Sequence, residues 1–272
     1  TTLAQIAAEE LGISLDAVGV TSGDTSTTSF DEGCYASMTL YNNGSAVKAA
    51  AADVKRKVIL KAAEMLKVKP GDLELKKGRI YSKANPEKSI TLKELVREAC
   101  EANRGNVAFI GEASFENTAF PPNFGAQFVE VEVDTETGQI EILKVVAFQE
   151  HGKSINPMVV EGQIEGALQQ SIGYALTEDP IHDKLTGKML NPSFHNYMVL
   201  TALDMPRMEF GSVEPYEPSG PFGAKGMSEL PYNGAAPAIA NAIYNAVGVR
   251  LAEIPMTPER VFRALKGLHH TE

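Results

Sequence analysis

Cysteine is scarce in this chain: Cys34 and Cys100 are the only two among 272 residues, and no Cys-x-x-Cys occurs. The chain therefore cannot build a four-cysteine zinc site or an iron–sulfur cluster by itself, and any electron-transfer centre must lie elsewhere. Two cysteines in a chain of this size read as reduced thiols rather than a disulfide framework. A basic surface is also lacking. The formal net charge is −10, and Lys and Arg are scattered rather than striped, which removes the electrostatic footprint of nucleic-acid or anionic-membrane binding. No apolar run approaches the roughly 18 residues of a membrane helix, and the first residues do not read as a basic-then-apolar signal, so a cytoplasmic protein is expected. Finally, neither the Gly-x-Gly-x-x-Gly fingerprint nor the Walker A pattern is present, which argues against an ordinary dinucleotide or nucleoside triphosphate site.

What is present is an ordinary globular composition, 43% hydrophobic and 22% charged. Its length fits one large or two modest domains. Leu3, Ile6, Ala7 and Leu11 share one helical face that stops at Gly12, so a helix opens the chain. A β-like run is expected over 17–21, a long Ala-rich helix from about Ser45 to Lys67, and two short strands, Leu73 to Leu75 and Arg79 to Tyr81, turning at Lys77-Gly78. Thr91 reads as the cap of a helix to about Ala102. The alternation of Val129, Val131 and Val133 with Ile140, Ile142 and Val145 across Thr135 to Gly138 predicts a hairpin. Asn156-Pro157 starts a helix to about Leu176, and a second hairpin is expected over His182 to Met189. A helix spans Asn233 to Val247, and Thr257-Pro258 caps a terminal one. The mixture lacks a strict βαβ alternation, so the fold class is α+β. The proline-interrupted stretch 117–123 divides it into expected regions 1–122 and 123–272.

Three glycine- and hydroxyl-rich loops lead into helices of small residues: Gly33-Cys34-Tyr35-Ala36-Ser37-Met38-Thr39, Gly152 to Pro157, and Gly223-Ala224-Lys225-Gly226-Met227-Ser228-Glu229. Small side chains let a ligand reach backbone N–H groups, and a helix N-terminus favours negative charge, so together they suit a large anionic ligand. Taken singly, each is also an ordinary connection. Glu229 reads either as helix-capping support or, if partly buried, as a general base. Gln163 and Gln170, seven apart on one helical face, are either solvated or a pair of amide contacts to a ligand. Cys34 and the lone His151 read as structural.

These stretches, in their order and spacing, resemble the second molybdenum-cofactor domain of the xanthine dehydrogenase and aldehyde oxidase family, the molybdenum hydroxylases. The resemblance is carried by Leu3 to Gly12, Gly23-Asp24-Thr25, Ile155-Asn156-Pro157, Glu161 to Ala167, Gly223 to Gly226 and Pro237 to Ile243. It implies a mixed α/β molybdopterin-binding domain pair in which Cys34 to Thr39 and Gln163 bracket the cofactor and Glu229 is the base beside molybdenum; Gln170 and Lys225 to Ser228 are further candidate cofactor contacts from the helical face and the glycine loop that carry them. No protein ligand to the metal is implied, since the pterin dithiolene holds it. The implied cofactor is molybdenum-molybdopterin in its cytosine dinucleotide form with a terminal sulfido or selenido ligand. The implied reaction is hydroxylation of an electron-poor carbon with oxygen from water. Its substrate would be a small N-heterocycle, nicotinate to 6-hydroxynicotinate first among them, with a purine, an aldehyde or an aryl thioester as alternatives. A non-catalytic cofactor-binding assembly module is the reading from another class.

Two departures from the family stand out. The family's Gly-Gln-Gly loop precedes the Leu-Ala-Gln-Ile helix at which this sequence opens, and Met38 stands where relatives such as the hydroxybenzoyl-CoA reductases often carry Arg. The family's first molybdenum domain is not in this sequence either. A split enzyme is therefore expected, with a large molybdopterin subunit, an FAD subunit and a [2Fe–2S] subunit as partners.

Overall fold

The computed structural model describes residues 1–31, 33–102, 104–105 and 109–267. The chain forms two compact units: residues 1–121 with 216–226, and residues 122–215 with 227–272. No helix among the described residues is long and apolar enough to cross a membrane.

The first unit begins with α1 (Thr2–Leu11), which buries Ala4, Ile6 and Ala8 and ends at Gly12 in the left-handed conformation. It packs on α2 (Thr39–Leu66), a 28-residue helix. Approach is close at Gly44, where a side chain would stand 2.9 Å from Ile6 Cδ1 and 3.0 Å from Pro221 Cγ. The strands β1 (Leu73–Lys76), β2 (Arg79–Ser82) and β3 (Ser89–Thr91) form an antiparallel sheet in that order. Lys77 and Gly78 both take positive φ, the geometry a two-residue hairpin turn needs. Leu73, Leu75, Ile80 and Ile90 pack with Val58 and Ala62 of α2 and with Leu95 of α3 (Leu92–Ala102). A reciprocal capping box starts α3: Glu94 accepts from the Thr91 N–H and hydroxyl, and the Glu94 N–H donates back to Thr91 Oγ1.

Two expectations are corrected here. Residues 15–17 form a short 3₁₀ turn and the rest of 17–21 is irregular, because the segment is exposed and has no strand to pair with. The long helix begins at Thr39, six residues before Ser45: burial of Tyr41 and Gly44 overrides the turn-like Asn42-Asn43-Gly44 run.

In the second unit, β4 (Phe124–Val133) and β5 (Ile140–Glu150) make the expected hairpin, with a bulge at Glu130/Val131 and Gly138 at positive φ in its turn. β6 (Arg207–Val213) adds parallel to β5, pairing Lys144 with Arg207 through Glu150 with Val213. α4 (Pro157–Leu176) is capped by Asn156, whose side chain accepts from the Val159 N–H. α5 (Leu230–Val247) and α4 cover the sheet, and Val145, Ala147, Ile164, Leu168, Ile239 and Ile243 form the core. Pro237 sits inside α5, and the Ala236 N–H donates to Ser171 Oγ of α4. α6 (Pro258–Leu265) is capped by the Thr257 hydroxyl, which accepts from the Arg260 N–H. The expected hairpin over 182–189 reduces to a single bridge, His182 with Met189, stabilised by the Asp183 carboxylate in its turn. An isolated ribbon without a third strand lacks the packing to extend.

Candidate cofactor site

In the first unit the loop before α2 is tied down at both ends. Asp31 accepts from the Gly33 N–H at 2.7 Å and from the Asn43 amide at 2.7 Å. Gly33, Ala36 and Ser37 all take positive φ, and the Met38 N–H closes a turn on the Tyr35 carbonyl. A left-handed alanine and serine in succession is uncommon and shapes the backbone into a concave turn. α2 then starts without a side-chain cap and without an acidic residue in its first turn. Its first-turn N–H groups have no intrahelical acceptors. Thr39 Oγ1 and Asn42 Oδ1 are buried there with no partner in the protein. Helix N-terminus, concave turn, donor hydroxyl and acceptor amide oxygen are the equipment an anionic, hydrogen-bonding ligand requires.

The structure brings two of the sequence-predicted loops together in this unit. Gly226 lies against Ser37 so closely that a side chain there would stand 2.3 Å from the Ser37 carbonyl oxygen. Lys225 is buried beside it, and Cys34, Tyr35 and Ala36 are exposed. Tyr41 donates to Ser219, whose own hydroxyl and N–H donate to Glu217. Those bonds, with Lys225 nearby, hold the Glu217 carboxyl below its usual range.

In the second unit, Gln163 and Gln170 lie on the exposed face of α4, turned away from Ile164, Ala167, Leu168 and Ser171. Gly162 and Gly166 flank Gln163 with open space where their side chains would be, so this face allows close approach. Met227 is buried, Ser228 half-buried, and Glu229 is the exposed N-cap residue of α5. Glu229 makes no cap hydrogen bond, and Pro231 in the first turn has no N–H to offer. The partial burial that a base at this position needs is thus not supplied by the chain's own described residues. His151 is buried against Ser154 at 2.8 Å, in keeping with a structural residue. Cys34 and Cys100 form no disulfide, and among the described residues no group of three His, Cys, Asp or Glu side chains could hold a metal.

The sequence reading passed over three polar residues. Asn42 was hidden by a run that reads as a turn. Gln127 and Gln149 lie on inward positions of β4 and β5, and Gln149 is fully buried with neither amide atom partnered in the protein. Its place after Val145 and Ala147 in the inward alternation was the available signal.

Residues 1–206 match the family model described as molybdopterin cofactor-binding domain. The chain belongs to this family. It is 35% identical, over 96% of its length, to a putative xanthine dehydrogenase molybdenum-binding subunit of Escherichia coli K12, and covers 35% of that protein. It is 34% identical, over 99% of its length, to the carbon monoxide dehydrogenase large chain of Afipia carboxidovorans, covering 34% of it. Its fold superposes on quinoline 2-oxidoreductase from Pseudomonas putida 86 with a TM-score of 0.88 at 30% identity, over 98% of this chain and 35% of that one. The chain thus spans about a third of the length of the curated relatives it matches, and its α+β architecture is that of a molybdenum hydroxylase molybdopterin-binding domain.

Proposed function

We propose that this chain is the molybdopterin-gripping part of a molybdenum hydroxylase, and that the enzyme containing it hydroxylates an electron-poor carbon of an N-heterocycle, with nicotinate to 6-hydroxynicotinate as the first reaction to test. The observation carrying the cofactor reading is the α2 N-terminus: uncapped, preceded by left-handed Ala36 and Ser37, and holding buried, unpartnered Thr39 and Asn42 oxygens. The heterocycle reading draws on two of the three relatives above, whose names specify xanthine and quinoline.

The residues divide the work. Backbone N–H groups at the start of α2 meet phosphate oxygens of the dinucleotide form, while Thr39 and Asn42 supply a donor and an acceptor to polar edges. Gln163, between two bare glycines, offers an amide to a ligand lying close on α4, with Gln170 a second contact. Lys225 and Gly226 hold the loop of Ser37 in place, and Met227 and Ser228 lead the backbone to Glu229. When bound, the cofactor, with its terminal sulfido or selenido ligand, supplies the two-electron oxidation. In the net reaction a C–H bond breaks, a C–O bond forms to water-derived oxygen, and two protons and two electrons are released. Glu229 accepts one proton as general base. The electrons leave through [2Fe–2S] and FAD on partner chains, since the two cysteines here cannot build a cluster.

A large molybdopterin subunit completes the site and covers Glu229. The apolar side chains each unit leaves in solvent support a partner: Phe30 and Phe120 in the first, Phe194 and Leu203 in the second. The two regions, 1–122 and 123–272, each contribute to the grip, and the complex works in the cytoplasm. The test is to purify the chain with its partners, measure molybdenum and nucleotide content, and assay nicotinate, hypoxanthine, quinoline, an aldehyde, an aryl thioester and carbon monoxide. The expected outcome is turnover of a heterocycle with ¹⁸O from labelled water in the product. A molybdenum-loaded complex that oxidises only carbon monoxide or only aldehydes overturns the heterocycle assignment.

A further inference from the structure

The inward face of the second unit's sheet is apolar along most of its length and then changes character at one end. Gly125 pairs with Gln149, and Gln127 with Ala147, across β4 and β5, so the two glutamines share one face and are diagonal neighbours. Both are accommodated by missing side chains. A Cβ on Gly125 would stand 2.6 Å from Gln149 Oε1, and one on Gly234 would stand 2.7 Å from Gln127 Cδ. The Gln127 Nε2 donates to the Pro231 carbonyl at 2.7 Å. Leu230 Cγ borders the same spot above Gly125 as Gln149, at 3.2 Å. Both carboxamides therefore lie directly beneath the first turn of α5, and Glu229 is the residue before that turn.

This floor is chemically out of place. Gln149 is fully buried, and its oxygen and nitrogen, with the oxygen of Gln127, have no partner in the protein. A buried carboxamide without partners is unfavourable, and an apolar residue of equal size fits such a position better. A fold that keeps polar atoms here sacrifices stability at the turn that presents Glu229, a pattern that belongs to functional sites.

We propose that Gln149 and Gln127 are positioning residues for Glu229: the two amides form a polar floor that sets the orientation of the first turn of α5, and so of the carboxylate it carries. The Gln127 amide fixes the turn by a directional hydrogen bond to Pro231, and the Gln149 amide, which makes none, sets how Leu230 seats above Gly125. This rests on Glu229 being the base. Gln127 acts directly through the Pro231 carbonyl, and Gln149 through the packing of Leu230.

The test uses the complete enzyme carrying Gln149→Met, Glu229→Gln, or both, with Gln127→Met as a second floor variant. Three readouts are taken: the thermal midpoint, molybdenum content, and kcat and KM separately. The expected result for Gln149→Met is a higher thermal midpoint, unchanged molybdenum content, and a kcat at least about tenfold lower at unchanged KM, because misplacing a catalytic group by about 1 Å costs up to about a hundredfold. Gln127→Met lowers kcat in the same way. In the Glu229→Gln background neither floor variant lowers kcat further, while the stability gain of Gln149→Met persists. If Glu229→Gln kills turnover but Gln149→Met lowers the midpoint, fails to assemble, or leaves kcat at the wild-type value, the floor is structural and this inference alone is overturned. If Glu229→Gln keeps turnover, the base assignment falls and the inference falls with it.

Discussion

Gly226 passes Ser37 so closely that a Cβ on it would stand 2.3 Å from the Ser37 carbonyl oxygen. Only a bare backbone fits there, and it fits against a serine that is itself held at φ 58. The contact joins two loops that are 189 positions apart in sequence and fixes the concave turn in front of α2. Gly226→Ala forces one of the two backbones to move, a change in the overpacking range of about 1–3 kcal/mol. The expected outcome is a folded protein with molybdenum content reduced severalfold, read by metal analysis beside circular dichroism.

Thr39→Val separates ligand binding from folding at the start of α2. The hydroxyl is buried and has no partner in the protein, so its replacement by an isosteric methyl costs the cofactor-free fold little, within about 1 kcal/mol, or stabilises it. Cofactor content should nevertheless fall. A variant with full molybdenum content would remove Thr39 from the cradle.

Gln163→Ala should weaken cofactor retention more than Gln170→Ala, because Gln163 stands between Gly162 and Gly166 where a ligand can lie close on α4. Both side chains are exposed, so each substitution changes stability by only about 0.5 kcal/mol or less. Molybdenum content and cofactor release rate for the two variants give the comparison, and equal values would refute it.

A pH prediction follows from the capping box of α3. Hydrogen bonds from the Thr91 hydroxyl and N–H hold the Glu94 carboxyl below the usual glutamate range. A carboxyl depressed in the folded state stabilises above its unfolded value, and that contribution is lost as pH falls through the depressed one. Wild type should therefore exceed Glu94→Gln in thermal midpoint at neutral pH, with the gap closing toward acid. A gap independent of pH would show that ionisation of Glu94 contributes nothing.

How far the sequence could be read follows the range of the interactions. Elements with local signals appeared as expected: α1 with its Gly12 stop, the β4–β5 hairpin, α4 behind Asn156-Pro157, and α6 behind Thr257-Pro258. β6 was missed because its partner, β5, is parallel and more than 50 residues away, so no turn announces it. The start of α2 was placed late because Tyr41 and Gly44 earn their helical state from burial, which local propensity does not encode. The same holds at the site. Glu229 and the glycine loops were legible as a pattern of small residues before helices, whereas Asn42, Gln127 and Gln149 became visible only once burial showed polar atoms without partners.

The central claim is that Glu229, exposed on this chain at the start of α5 and making no cap bond, is the base of a molybdenum hydroxylase. Glu229→Gln keeps size and hydrogen-bonding capacity and removes basicity, so the direct measurement is turnover number per bound molybdenum in the complete enzyme. The account predicts wild-type molybdenum content with turnover reduced by at least about 10²- to 10⁴-fold, the usual contribution of a general base. Turnover within a factor of a few of wild type, at equal molybdenum content, would contradict it.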